Sequence, residues 1–142
     1  AQLSQARPVV VQSLEAQFAT AGATKAVVID RPGAVTSYLK ELERTLAANA
    51  YVTRSYPEFI EVLNPGINKG DALQFVAARL GIEMDAVMAV GDSWNDAPLL
   101  AAAGVGVAMG SAPPELRAVA DAIVGDYAKD GVAEAVEKFI LQ

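Results

Sequence analysis

The sequence predicts an α/β fold, in which a parallel sheet with helices on both faces is joined to a smaller segment of α+β type. Three observations support this prediction. Hydrophobic residues make up 53% of the 142 residues, which suffices for a substantial core at this length. In residues 66–142, short apolar runs alternate with helical patterns, which is typical of parallel sheets. In residues 1–65, two apolar runs are separated only by a tight turn, as in an antiparallel hairpin.

The first segment, residues 1–65, is predicted to contain a helix, a strand, a second helix and the hairpin. The strand, the second helix and the two hairpin strands correspond to KAVVID (25–30), GAVTSYLKELERTLAANA (33–50), YVTRSY (51–56) and EFIEVLN (58–64). Pro57 and Glu58 form the predicted turn of the hairpin. The stretch NPGIN (64–68) is rich in turn-forming residues and therefore marks the boundary between the two segments.

The second segment, residues 66–142, is predicted to alternate helices and strands. In order, they are NKGDALQFVAARLGI (68–82), AVMAV (86–90), APLLAAAG (97–104), VGVAM (105–109), PPELRAVADA (113–122), AIV (122–124) and DGVAEAVEKFILQ (130–142). Apolar stripes at helical spacing predict which side chains of the first and last helices face the core. They are Leu73, Val76, Ala77 and Leu80, and then Val132, Val136, Phe139 and Ile140.

The composition excludes several classes of protein and of site. The chain has no cysteine and no histidine, which excludes disulfide bonds, thiolate metal sites and a histidine-based catalytic triad. A metal would therefore bind oxygen ligands, which favours hard ions such as Mg²⁺. The net charge of −6 argues against a nucleic acid as partner. No apolar stretch reaches the roughly 18 residues of a membrane span, and the absence of cysteine favours a cytoplasmic protein.

A group of polar side chains follows the predicted strand AVMAV. Asp92, Asn95 and Asp96 lie within five residues of one another, where Pro98 places the start of a helix near residues 95–97. In open α/β sheets, ligands bind beyond the carboxyl ends of the strands, so we expect these three side chains to reach one ligand. Helix N-capping is the alternative explanation, but it accounts for only one of the three groups.

A second group lies at the start of the helix 68–82. Asn68 is a good N-cap, which makes Lys69 the first helical residue, where a cation opposes the helix dipole. A bound anion would reverse that disadvantage, whereas the alternative is a solvated lysine. Together the two groups predict a phosphate site with Asp92 for Mg²⁺, Lys69 for the phosphate oxygens and Asn95 for orientation. Asp96 would hold Lys69 in place through an ion pair.

Two further residues are given ordinary interpretations. Asp30 follows an apolar strand and precedes a glycine, as a nucleophile would, but Pro32 occupies the position of a required second acid. We therefore interpret Asp30 as a solvated acid at a strand end. For Trp94, packing against a neighbouring loop is favoured over a role as a wall near the substrate entrance.

Three stretches of the second segment resemble a known family. GINKGDAL (66–73), VMAVGDSWNDAPLLAAAGVGVAMGSA (87–112) and DGVAEAVEKFI (130–140) are similar to the C-terminal half of haloacid dehalogenase-like (HAD) phosphatases of the Cof type. The likeness extends over Lys25–Gln142. It implies the C-terminal part of a Rossmann-like core for residues 66–142 and part of an α/β cap for residues 1–65. It also implies Mg²⁺-dependent hydrolysis of a small phosphorylated metabolite, for example a sugar phosphate, through an aspartyl-phosphate.

The resemblance implies a role for each residue of the predicted site. Lys69 corresponds to a catalytic and substrate-binding lysine that neutralises phosphoryl charge. Asn95 corresponds to the amide that contacts the phosphoryl group, and Asp92 to an acidic Mg²⁺ ligand. Asp96 corresponds to the acid that supports both the lysine and the metal shell, so it counts among the catalytic and the metal-site residues.

The sequence also departs from the family pattern. The family's nucleophile loop, Asp-x-Asp, is absent from these 142 residues, and Ser111 stands where many relatives carry asparagine. We therefore expect a fragment of a longer phosphatase that is inactive alone, with self-association through an exposed sheet edge as a hypothesis. The alternatives are a non-catalytic module that binds an ion or a partner and, at lower weight, a phospho-receiver domain. In a receiver domain the acids precede the lysine, whereas here Lys69 precedes Asp92.

Overall fold

Two separate three-stranded sheets organise the chain. The structure is a computed structural model that describes residues 7, 9–20 and 22–141. The beginning of the predicted segment 1–65, residues 8 and 21, and Gln142 of the predicted last helix lie outside the described residues. In chain order the described elements are α1 (Leu14–Phe18), β1 (Ala26–Ile29), α2 (Pro32–Leu46), β2 (Tyr51–Tyr56), β3 (Phe59–Leu63), α3 (Lys69–Leu80), β4 (Met88–Gly91), α4 (Ala97–Ala102), β5 (Val105–Ala108), α5 (Pro114–Arg117), β6 (Ala122–Ile123) and α6 (Gly131–Phe139).

The first sheet is antiparallel, in the order β1-β3-β2. The predicted hairpin is confirmed, since β2 and β3 pair around a turn at Pro57 and Glu58. Strand β1 adds to the outer edge of β3, a pairing that the sequence pattern did not indicate. Helix α2 packs against β2 and β3, and the side chains of Val35 on α2 and Ile60 on β3 are both fully buried.

The second sheet is parallel, in the order β4-β5-β6, and has helices on both faces as predicted. Consecutive residues of β5 point to opposite faces, so each supplies one of two apolar clusters. Ala108 packs with residues of α4 and α5 and of the loop between β5 and α5, namely Leu100, Ala112 and Leu116. Val107 packs on the other face with Met109, Val124 and Ala135, the last of which belongs to α6.

Two element boundaries differ from the prediction. The strand predicted at 86–90 begins only at Met88, because Met84–Ala86 forms a 3₁₀ turn. The helix predicted over 113–122 ends at Arg117. The helix cannot continue because Asp121 forms two hydrogen bonds with Gly106. The backbone N–H of Asp121 donates to the carbonyl of Gly106, and the backbone N–H of Gly106 donates to the carboxylate of Asp121, both at 2.8 Å. The chain has to leave the helix in order to reach β5.

The predicted apolar stripes are only partly correct. Small residues are the buried ones, Gly70 and Ala77 on α3 and Gly131 and Ala135 on α6. Four predicted core residues, Val76, Leu80, Val132 and Ile140, are exposed instead. Close packing against neighbouring backbone selects the small-residue face of each helix, which moves the larger side chains of the stripe to the flank. Within the described residues, no helix is long and apolar enough to cross a bilayer.

Candidate functional site

Strand β4 ends at a glycine that permits a sharp return of the chain. A Cβ atom on Gly91 would lie 2.5 Å from the Cβ of Asp96 and 2.8 Å from a methyl carbon of Leu100. No side chain fits there without displacing the 3₁₀ turn Trp94–Asp96 that follows. The glycine thereby allows Asp96 to return directly over the end of the strand.

The carboxylate of Asp96 organises this loop from a buried position. Only 3% of the residue's surface is exposed. One carboxylate oxygen accepts the backbone N–H groups of Asp92 and Ser93, at 2.9 and 3.0 Å. The other accepts a hydrogen bond from the ammonium group of Lys69. Asp96 therefore combines the capping of this turn with the expected ion pair to Lys69.

Lys69 reaches Asp96 from the first turn of α3. Asn68 is the N-cap, as predicted, and its side-chain oxygen accepts the backbone N–H of Asp71 at 3.0 Å. The close approach of α3 and α4 depends on Gly70, since a Cβ atom there would overlap the carbonyl group of Pro98. The ammonium group is held on one side by Asp96, yet 49% of the lysine side chain remains exposed. It can therefore contact both its partner acid and a ligand.

Asp92 and Asn95 complete the corner between β4 and α4. Asp92 is exposed, and neither of the two ion pairs in the described part of the chain involves it. Asn95 is half-buried, and its amide oxygen is buried without a hydrogen-bond partner among the described residues. Unpartnered buried polar atoms are uncommon, and one beside a cleft indicates a site that a further group completes.

The four predicted site residues border two open clefts. The first, of about 430 Å³, is lined by Lys69, Asp92 and Asn95 together with Ser55, Tyr56, Pro57, Ser93, Trp94, Ser111 and Pro113. The second, of about 470 Å³, lies beside β4 and is bordered by Lys69, Asp92 and Asp96 with six further residues. Strand β4 is the edge strand of its sheet in the described structure. The structure thus brings the predicted residues together at one edge.

Several residues of this region were not indicated by the sequence. The hairpin residues Ser55, Tyr56 and Pro57 reach the first cleft because β2 contacts the turn that follows β4. Trp94 packs under the guanidinium group of Arg54 on strand β2 rather than against a neighbouring loop, and it also lines the cleft. Asp30 directly follows β1 of the other sheet, and its carboxylate accepts the backbone N–H of Arg31 at 2.7 Å.

The donor set is compatible with a hard cation. Within the described ranges, no cluster of three or more histidine, cysteine, aspartate or glutamate side chains could enclose a metal. Mg²⁺, however, commonly binds through one or two carboxylates, with water and substrate phosphate as the other ligands. Asp92 offers such a carboxylate, whereas both oxygens of Asp96 already accept hydrogen bonds. The arrangement therefore favours Asp92 as a direct ligand and Asp96 as a supporting residue.

Comparison with known proteins connects this corner to a family of enzymes. A family model described as haloacid dehalogenase-like hydrolase matches residues 4–136. The chain is 46% identical over 81 residues to a phosphoglycolate phosphatase of Methanothermobacter thermautotrophicus, an alignment that covers 57% of this chain. It is also 46% identical over 90 residues to the 5-amino-6-(5-phospho-D-ribitylamino)uracil phosphatase YcsE of Bacillus subtilis, which covers 63% of this chain.

A solved structure supports the same relationship. A sugar phosphatase of HAD subclass IIB superposes on 87% of this chain with a TM-score of 0.77 and 26% sequence identity. The chain spans 46% of that structure, and it spans only 37% and 36% of the two curated relatives. Each similarity therefore concerns less than half of the related protein.

Proposed function

Because this chain belongs to the haloacid dehalogenase-like hydrolases, we propose that the protein containing it hydrolyses phosphomonoesters of small metabolites. The observation that carries the proposal is the corner at the end of β4, where an exposed carboxylate, an amide and a paired lysine face one cleft. Two relatives are named as phosphatases of small phosphorylated compounds, and a structural neighbour is named as a sugar phosphatase. A sugar phosphate is accordingly one candidate substrate.

Each residue of the corner has a role that its surroundings support. Lys69 places a positive charge at the cleft and thereby stabilises negative charge on phosphoryl oxygens. Asp96 positions that charge, because its buried carboxylate holds the ammonium group from behind. Asn95 offers an amide that can orient the phosphoryl group. A lysine, a carboxylate and an amide that converge on one cleft suit the transfer of a phosphoryl group.

Mg²⁺ is the cofactor that we propose for this site. The exposed carboxylate of Asp92 would hold the ion, while Asp96 supports the loop that carries Asp92. When bound, Mg²⁺ supplies positive charge that neutralises phosphoryl oxygens. The protein's own part is to hold Asp92 at the carboxyl end of β4, within reach of the group that Lys69 binds.

We also propose that the nucleophile comes from outside these 142 residues. The sequence contains no Asp-x-Asp motif, and the chain spans little more than a third of the curated relatives. Among the described residues, no strand pairs with the outer edge of β4, where another strand could add. The assignment of residues 1–65 to a partial cap and of residues 66–142 to the core, the cytoplasmic location and self-association stay predictions.

Substitution of Asp92 tests the proposed function. In the full-length protein that carries this chain, Asp92→Ala should abolish Mg²⁺-dependent turnover of an aryl phosphate, because it removes the proposed ligand. Asp85→Ala is the matched control, since Asp85 is an exposed acid in the 3₁₀ turn before β4, at the opposite end of the strand. Unchanged turnover in Asp92→Ala would contradict the proposal, and turnover by the 142-residue chain alone would contradict the external nucleophile.

A further inference from the structure

A cation–π contact joins the two sheets beside the candidate site. The guanidinium carbon of Arg54 on β2 lies 3.7 Å from the ring centroid of Trp94, which follows β4. The Nε atom of Arg54 is buried and has no hydrogen-bond partner among the described residues. The indole ring is therefore a principal partner of this guanidinium group, and desolvation strengthens a contact of this kind.

A hydrogen bond forms a second connection next to the stack. The hydroxyl group of Ser93 donates to the backbone carbonyl of Ser55. Ser55 is the extra residue of a β-bulge, because Arg54 pairs with Ile60 whereas Tyr56 pairs with Phe59. Bulges change the direction of a strand and re-aim the side chains that follow. Here the bulge directs the tip of the hairpin towards the loop that carries Asp92.

The hairpin tip forms one wall of the first cleft. Tyr56 and Pro57 line this cleft together with Lys69 and Asp92. The ring of Tyr56 packs edge-on against that of Phe59, with the centroids 5.4 Å apart, and the tyrosine remains exposed. The phosphate-binding groups and the aromatic wall therefore belong to different sheets, and the distance between them depends on the contacts that join the sheets.

We propose that Arg54 and Trp94 are positioning residues that fix the hairpin tip over the site, so that Tyr56 and Pro57 form the wall for the leaving group. This inference rests on the proposed phosphatase function. Arg54 does not line the cleft, so it acts through the position of the tip. The phosphoryl group itself would contact the loop after β4 and Lys69. Loss of the stack should therefore weaken contacts with the leaving group and spare those with phosphate.

A comparison of two ligands in one variant tests this distinction. In the full-length protein, Arg54→Met keeps most of the aliphatic stem but removes the cation. We expect the KM for p-nitrophenyl phosphate to rise about 5- to 30-fold, the range that corresponds to a partly desolvated cation–π contact, with kcat changed less than about twofold. The inhibition constant of inorganic phosphate, which has no leaving group, should stay within about twofold of the wild-type value.

Three further variants complete the design. Arg79→Met is the matched control. The guanidinium carbon of Arg79 lies 5.6 Å from the ring centroid of Phe75 on the exposed side of α3, so this variant should not change KM. Arg54→Lys should recover only part of the lost affinity, because a lysine keeps the charge but cannot stack a planar group on the indole. If Arg54→Met fails to fold, Arg54→Gln replaces it, since it also removes the cation, with the same rise in KM and the same unchanged inhibition by phosphate.

The outcomes separate this inference from the proposed function. An unchanged KM in Arg54→Met would overturn the positioning role, and so would an equal rise in KM and in the inhibition constant of phosphate, which indicates general damage. Absence of phosphomonoester turnover in the wild-type protein would refute the proposed function, and the positioning role would fall with it.

Discussion

Replacement of Asp96 by asparagine should destabilise the fold far more than the loss of an ordinary surface ion pair. The side chain is buried and accepts three hydrogen bonds, two from backbone N–H groups and one from Lys69. Asparagine has one acceptor oxygen and an amide group that only donates. Whichever way the amide is oriented, a donor of the side chain then faces either the backbone N–H groups or the ammonium group.

The magnitude follows from these three interactions. Hydrogen bonds to a charged acceptor contribute about 1.5–3 kcal/mol and neutral ones about 1 kcal/mol, so two weakened backbone bonds lose about 1–4 kcal/mol together. The ion pair adds no more than about 1 kcal/mol, because half of the Lys69 side chain is in solvent. We therefore expect Asp96→Asn to lower the free energy of unfolding by about 1–5 kcal/mol.

Urea unfolding monitored by circular dichroism measures this loss, provided that the slope of the transition is unchanged. Lys25→Met is the matched control, since it breaks the pair between Lys25 and Glu61, in which the lysine is similarly exposed at 45%. That variant should lose less than about 1 kcal/mol. A loss below about 0.5 kcal/mol in Asp96→Asn, or one no larger than in the control, would refute the reasoning.

Two other predictions concern packing. Gly70→Ala should lower the free energy of unfolding by more than about 2 kcal/mol, because the added Cβ would displace α3 from the carbonyl of Pro98. Its control is Gly33→Ala on α2, where no atom lies within 4 Å of the added Cβ, and that variant should be neutral or stabilising. Leu116→Ala should cost about 2–5 kcal/mol by opening a cavity in the cluster around Ala108, and Val119→Ala, at an exposed position nearby, should change stability little. Urea unfolding checks both, and equal losses in a variant and its control would contradict the packing argument.

Local chemistry made part of the site predictable from the sequence. Asn68 and Lys69 could be placed at a helix start because N-caps have a strong residue preference. The ion pair between Lys69 and Asp96 could be expected because both groups were assigned to one phosphate site and a lysine at a helix N-terminus needs a negatively charged neighbour. The family resemblance based on the same motifs is confirmed by the family model that matches residues 4–136.

Contacts between the two sheets could not be predicted in this way. The stack of Arg54 on Trp94 depends on the relative placement of strands that are far apart in the chain, and no local pattern encodes it. The early end of α5 has a similar cause, since the pairing of Asp121 with Gly106 outweighs a helical pattern that continues to residue 122. The exposure of Leu80 shows that an apolar stripe on a helix does not reveal which of its residues pack against another element.

The corner at the end of β4 also has a consequence for folding equilibria. Its ion pair joins residues 27 positions apart, and the bond between Ser93 and Ser55 joins residues 38 positions apart. Neither contact can form in the unfolded chain, because the residues that it joins are distant in sequence. An anion that binds at this corner therefore binds the native state and not the unfolded state. By mass action, such a ligand at 100 times its Kd raises the free energy of unfolding by about 2.7 kcal/mol. Inorganic phosphate, the product of the proposed reaction, would thus also act as a stabiliser of the fold that releases it.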